Sequence, residues 1–158
     1  MSEPYEEIID GRKIHRPAPG ARHELICARL HSLVSASLAS FAAARLLPQR
    51  TEVALSSAIT LRPDLSLITA ATGKMWLAAE IVSSEDHRVD TVVKKQVYEE
   101  LKVSRLWMID PRYDNVEVYH STEYGLALKG ILAGREVLTE KLLPSFQLTI
   151  ADLFQAQA

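Results

Sequence analysis

Two carboxylates stand out by where the sequence puts them. Glu80 lies inside MWLAAEIV, a run apolar enough to belong inside a sheet, where a carboxylate needs a partner or a metal to offset its lost hydration. Asp64 comes sixteen residues earlier, after Pro63 and at the head of LSLIT, a second strand-like run. Read singly, Asp64 is an ordinary turn residue and Glu80 one half of a structural ion pair. If the runs 65–69 and 75–82 pair as neighbours, however, the two meet at one end of a sheet. Two hard oxygen ligands at one point suit magnesium or manganese, with waters and a substrate phosphate in the remaining positions. A basic group falls within range as well. Lys94 or Lys95 lies on the helix after the Glu80 strand, with Lys94 one turn before Tyr98. An ammonium there could orient an attacking water or offset charge developing on a phosphate, although a helix lysine taken alone is a solvated one.

The elements that must position these groups follow from pattern. YEEIIDGRKI places short runs on either side of Asp10-Gly11, which predicts a β-hairpin. After the breaker segment RPAPGAR, the apolar residues Leu25, Ile26, Leu30, Leu33, Val34, Leu38 and Phe41 recur at three- and four-residue spacing, predicting a helix that runs to near Pro48. Three strands are expected next, at about 51–59, 65–69 and 75–82, the last central and covered on both faces. The polar stretch SSEDHRVD leads into a second helix with Val92, Val93, Val97 and Leu101 as its apolar face, then a strand, RLWMID, and a turn at Asp110–Asn115 into VEVYHS. From Tyr124 onward the chain reads as short strands, broken at Pro144 and closing on Leu153-Phe154 as a packing anchor. The order predicts an α/β or α+β fold, a mixed sheet with two principal helices, in one domain spanning 1–158.

Composition narrows the function classes. Of 158 residues, 47% are hydrophobic and 24% charged, which excludes collagen-like, disordered and disulfide-scaffold chains. No apolar run approaches the roughly 20 residues of a membrane-spanning helix. The acidic opening MSEPYEEIID does not resemble a signal peptide, so a cytoplasmic location is expected. A lone cysteine, Cys27, excludes an internal disulfide and a thiolate metal cluster. With a net charge of −2, any contact with nucleic acid must rest on a local site. Arg12, Lys13, Arg16 and Arg22, clustered near the hairpin and the helix start, could form such a surface, or merely a solvated basic face. The phosphate-binding GxxxxGK[ST] and GxGxxG loops, the GxSxG elbow and HExxH are all absent. His23, Cys27 and His31 share one helix face, but eight residues at about 1.5 Å each put the histidines about 12 Å apart, too far for one ion. A buried Cys27 and a partly exposed His31 are expected instead.

Taken together, Arg62-Pro63-Asp64, Glu80-Ile81-Val82 and the basic position beyond resemble the PD-(D/E)XK nuclease superfamily. The sequence is similar, more closely, to the Uma-two family of restriction-endonuclease-like proteins. The similarity runs through YEEIIDGRK, PAPGARHELICARL, RPDLSLI, AAEIVSSEDHRVD, KKQVYEELKVSRLWMIDP and VEVYH. It departs at Val82, where the superfamily places its lysine. In this family the lysine looks to have moved to the following helix, which assigns the role to Lys94, with Lys95 its neighbour on a nucleic-acid-facing side. The loop SSEDHRVD is also more acidic than the family pattern, although Asp90 keeps its place.

The resemblance implies a restriction-endonuclease-like fold and metal-dependent phosphodiester hydrolysis. Asp64, Glu80 and the backbone carbonyl of Ile81 would hold magnesium or manganese, Lys94 would position the attacking water, and His23 and Glu7 would be auxiliaries. It implies a nucleic-acid substrate, with DNA the first expectation although no residue distinguishes it from RNA, and a homodimer, with no organic cofactor. Two readings compete: a nuclease fold that has lost hydrolysis and binds nucleic acid or protein, and a structural homodimer whose carboxylates are only ion-paired.

Overall fold

The computed structural model describes residues 2–155. A β-hairpin opens it, β1 (Tyr5–Ile9) and β2 (Arg12–Arg16), turning at Asp10 and Gly11 with φ of 53° and 75°. Two consecutive positive φ values match the turn to the strands' twist, and Asp-Gly tolerates them. Helix α1 (Ala21–Leu38) follows, then the short strands β3 (Ala44–Leu46), β4 (Val53–Ser56) and β5 (Ile59–Leu61). Next come β6 (Leu65–Thr69) and β7 (Met75–Ile81). A π-helical segment, Val89–Lys94, continues into α2 (Lys95–Glu100) and leads to β8 (Arg105–Asp110) and β9 (Asn115–Thr122). The chain closes with β10 (Gly125–Ala133), β11 (Val137–Glu140), β12 (Leu143–Thr149) and α3 (Ile150–Phe154).

The main sheet has six strands in the order β10-β9-β8-β7-β6-β3, with β7 and β8 parallel and every other pairing antiparallel. The parallel pair needs a crossover, and the π–α2 segment supplies it. All seven residues of β7 are buried, as its unbroken apolar run requires. Alternation along β7 divides the core in two. Leu77, Ala79 and Ile81 pack with Ile26, Leu30 and Trp107 on the α1 side. Ala78 and Val82 pack with Val97, Tyr98 and Leu106 on the α2 side. A second sheet, β2-β1-β5-β4, lays the hairpin alongside that face.

Several expectations are corrected. Helix α1 ends at Leu38 rather than near Pro48, because Ala44–Leu46 is recruited to the sheet edge against β6. The expected strand 51–59 is a tight hairpin, β4 and β5, with Ser56 paired to Ile59. Of the expected apolar face of the second helix, Val97 is buried and Val93 and Leu101 pack against the core, but Val92 is 45% exposed, and the polar Asp90, Lys94 and Tyr98 share the inward side. Pro144 does not break the chain but sits near the start of β12, in a two-stranded sheet where a missing N–H costs little. Leu153 and Phe154 do anchor the C-terminus, on the short helix α3.

Candidate active site

The register of β6 against β7 pairs Leu65 with Ala79, so the next residues outward, Asp64 and Glu80, share one end of the sheet. By alternation Glu80 faces the hairpin and α2. There its Oε2 lies 2.7 Å from the Lys94 ammonium and accepts a hydrogen bond from the Tyr98 hydroxyl. Lys94 is also 2.7 Å from Glu7 Oε2, contributed by β1. Glu7 in turn accepts from the Arg16 guanidinium at 2.6 Å and the Arg62 amide at 2.8 Å. Glu7, Glu80, Lys94 and Tyr98 are all buried. Asp90 and Lys94, four residues apart, face inward together from the π-helical segment, an uncommon local winding that recurs at functional sites.

Asp64 is held from three directions. The Ile81 amide donates to Oδ2 at 2.8 Å, and Arg50 Nη1 donates to Oδ1 at 3.0 Å. His23 Nε2 sits 3.5 Å from Oδ2 and 3.1 Å from the Ile81 carbonyl, between two of the expected metal donors. A carbonyl only accepts, so this nitrogen carries a proton. One helical turn on, Cys27 Sγ lies 3.6 Å from the Asp64 carbonyl, and one further turn on His31 Nε2 reaches the same oxygen at 2.7 Å. The His23, Cys27, His31 stripe is therefore a support rail for Asp64 rather than a ligand set. Its spacing was visible in sequence, but its target was not. Arg50, in the loop between β3 and β4, carried no signal at all.

Burial and charge push the carboxyls apart. Burial raises the Asp64 carboxyl, but the hydrogen bond and charge of His23 and the Ile81 amide outweigh it and hold it down at about 2. Burial drives Glu80 up to about 8, with Lys94 opposing and Asp64, Glu7 and Asp90 reinforcing. Burial favours neutral Lys94, yet Glu80 and Glu7 more than restore the charged ammonium. Burial likewise disfavours protonated His23, but the hydrogen bond to Asp64 raises it above its ordinary value.

The basic residues separate into two groups. Arg16 is a correction to the expected phosphate-contacting surface: it is buried, and its guanidinium is taken up by Glu7, Asp86 and Asp90 at 2.6, 2.6 and 2.8 Å. Arg12 and Lys13 are exposed on the hairpin. Arg22 is bound to the Pro111 carbonyl and Asp114, and Lys95 lies with its ammonium 4.5 Å above the Tyr119 ring. The site thus gathers Glu7, His23, Asp64, Glu80, Ile81 and Lys94, with Arg16 as a buried brace, and leaves Arg12, Lys13, Arg22 and Lys95 outside it.

Divalent metal fits this donor set in one particular form. Among the described residues, no three His, Cys, Asp or Glu side chains are arranged to enclose an ion. Asp64, Glu80 and the Ile81 carbonyl offer two carboxylates and one carbonyl, the incomplete oxygen set that a hydrated magnesium ion completes with water and phosphate.

Sheet order, the crossover between parallel β7 and β8, and acidic residues at the ends of β6 and β7 define a restriction-endonuclease-like α+β protein. The family model Uma2, described as "Putative restriction endonuclease", matches residues 2–151, and the chain belongs to that family. The fold is also that of a crystal structure from Anabaena variabilis described as a "putative nuclease", with a TM-score of 0.79 at 19% identity over 97% of this chain and 91% of that one. No curated protein matches the sequence. No helix among the described residues is long and apolar enough to cross a membrane.

Proposed function

We propose that this chain is a divalent-metal-dependent nuclease that hydrolyses phosphodiester bonds, with DNA as substrate, acting in the cytoplasm as a homodimer of one domain, 1–158. The observation that carries it is the juxtaposition of Asp64 and Glu80 across antiparallel strands, with a fully buried Lys94 ammonium on Glu80. Asp64, Glu80 and the Ile81 carbonyl would hold magnesium or manganese, with no organic cofactor. Bound there, the metal would polarise the scissile phosphate and lower the pKa of a coordinated water. Lys94 stands at ion-pair distance, 2.7 Å, from both Glu80 and Glu7, and its ammonium would supply the positive charge that steers the attacking water beside the metal. Glu7 and Tyr98 fix Lys94 and Glu80 in place. His23 carries a proton at the Ile81 carbonyl, beside the carboxylate of Asp64. Arg12, Lys13, Arg22 and Lys95 would contact phosphates away from the reacting bond.

A nuclease fold retained for binding alone is favoured by one observation: Asp64 already has Arg50 and His23 as partners. Manganese and magnesium titrations followed by thermal melting, on wild type and Glu80→Gln, separate the two readings. The nuclease reading expects saturable stabilisation that the variant loses, and cleavage in a screen of DNA and RNA substrates. A wild type indifferent to both metals, with and without nucleic acid, would overturn it.

A further inference from the structure

Arg50 is placed more deliberately than an incidental ion pair needs. Its φ of 54° is left-handed, a conformation that non-glycine residues rarely adopt outside turn chemistry. The backbone is tied to the segment carrying Asp64: its amide donates to the Pro63 carbonyl at 3.1 Å, and its own carbonyl accepts from Arg62 Nη1 at 3.2 Å. The guanidinium spans Asp64 Oδ1 at 3.0 Å and Glu24 Oε2 at 2.6 Å. Unlike Arg16 and Lys94 it is not sealed in, since 15% of its side chain stays exposed. It lines an open cleft of about 640 Å³ with Arg62, Gln49 and Tyr5 on one side and Glu3 and Glu6 at the rim.

We propose that Arg50 is a phosphate ligand gated by the metal: it neutralises Asp64 while no cation is bound, and is released to a nucleic-acid phosphate in the adjoining cleft when a divalent cation takes that carboxylate. The inference rests on the nuclease reading and deepens it. A guanidinium and a divalent cation on one carboxylate repel each other, so metal and Arg50 compete for Asp64. Glu24, 29% exposed against 3% for Asp64, is the more solvent-screened of the two partners and so the one that competes less with a phosphate for the guanidinium. A guanidinium fork suits a phosphate's paired oxygens, and the cleft offers the space. By linkage, metal at Asp64 strengthens phosphate binding at Arg50, and phosphate at Arg50 strengthens metal binding at Asp64.

The test is calorimetric titration with manganese of wild type, Arg50→Gln, Arg50→Lys and Glu80→Gln. Binding of a labelled oligonucleotide, as DNA and as RNA, is then followed against salt in calcium. Arg50→Gln is expected to bind manganese about tenfold tighter, having lost a nearby like charge. Its salt slope for the oligonucleotide should fall by about one. Arg50→Lys keeps the charge and so keeps wild-type manganese affinity, but loses the fork and binds the oligonucleotide about fivefold more weakly. If Arg50→Gln binds manganese no tighter than wild type, or Arg50→Lys binds the oligonucleotide as wild type does, the inference is overturned while the nuclease reading stands. If wild type and Glu80→Gln bind manganese alike, the nuclease reading falls and takes the inference with it.

Discussion

On the α1 side of β7, Leu77, Ala79 and Ile81 pack against Ile26, Leu30 and Trp107, and the Trp107 ring stacks on Phe146 at 5.3 Å. On the opposite side the same strand sets Glu80 between Ala78 and Val82, against Lys94, Tyr98 and Glu7. Both faces are buried, and they are stabilised in different ways. Apolar burial is non-directional, so that the first face loses in proportion to what is removed. A buried network of charges holds only while each member keeps its partners. One strand therefore does two jobs through a period-two alternation: one face makes the sheet stable enough to carry the other.

Substitutions on the two faces should fail differently. Trp107→Ala is expected to cost about 3–5 kcal/mol in chemical denaturation, with the manganese response intact in whatever remains folded. Lys94→Met should cost a similar ~3–5 kcal/mol for a different reason, since Glu80 and Glu7 lose their shared ammonium. Adding Glu80→Gln to Lys94→Met should then recover part of the loss, whereas adding it to Trp107→Ala should not. Equal recovery in both backgrounds would show that the network is not a unit. Cleavage should be absent in Lys94→Met under conditions where Trp107→Ala, if folded, still cuts.

The apolar face was far more legible than the polar one. Continuous burial of MWLAAEIV predicted a central strand, and Asp-Gly predicted the hairpin, because both signals are local. The meeting of Asp64 and Glu80 was also within reach, since it needs only two neighbouring strands to pair. Arg16 was misread as a surface cation because nothing near it in sequence announces Asp86 and Asp90, some seventy residues away. Lys94 was legible as a helix residue one turn before Tyr98, but its burial between Glu80 and Glu7 was not, because Glu7 lies far away in sequence. Of the four residues expected on that helix's apolar face, Val92 alone is turned outward, while Val93, Val97 and Leu101 pack inward. Arg50 matters only through its backbone conformation and a contact made across a loop.

pH offers a finer division of the two faces. Glu80 is raised by burial from 4.5 to about 8, so between those values the folded state holds a proton that the unfolded state has lost. Stability from this group therefore falls as pH rises through that window, and levels off above it. Asp64 works oppositely: lowered from 3.8 to about 2, it contributes stability above 3.8 that is lost as pH falls through about 2. Between pH 5 and pH 8, wild type should lose on the order of 1–3 kcal/mol relative to Glu80→Gln in denaturant titrations. Trp107→Phe, which changes only the apolar face, should track wild type across the same range. Parallel curves for wild type and Glu80→Gln would mean that Lys94 compensates Glu80 completely.

The smallest effect tests the seam between the faces. Helix α1 buries Ile26, Leu30 and Val34 in the apolar core, yet the same helix turns His23, Cys27 and His31 toward Asp64. His31 is kept neutral by burial and donates to the Asp64 carbonyl, a backbone atom, so its removal should leave the charge balance of the site untouched. His31→Ala is expected to lose about 0.5–1.5 kcal/mol, the worth of one neutral hydrogen bond. Manganese binding should weaken by a few-fold, because Asp64 is then held less rigidly against the Ile81 amide. Leu33→Ala, on the exposed side of the same helix, should change neither quantity measurably. If His31→Ala lowers the melting temperature and leaves manganese affinity unchanged, α1 belongs to the apolar face alone. If both move together, the helix transmits the rigidity of one face to the chemistry of the other.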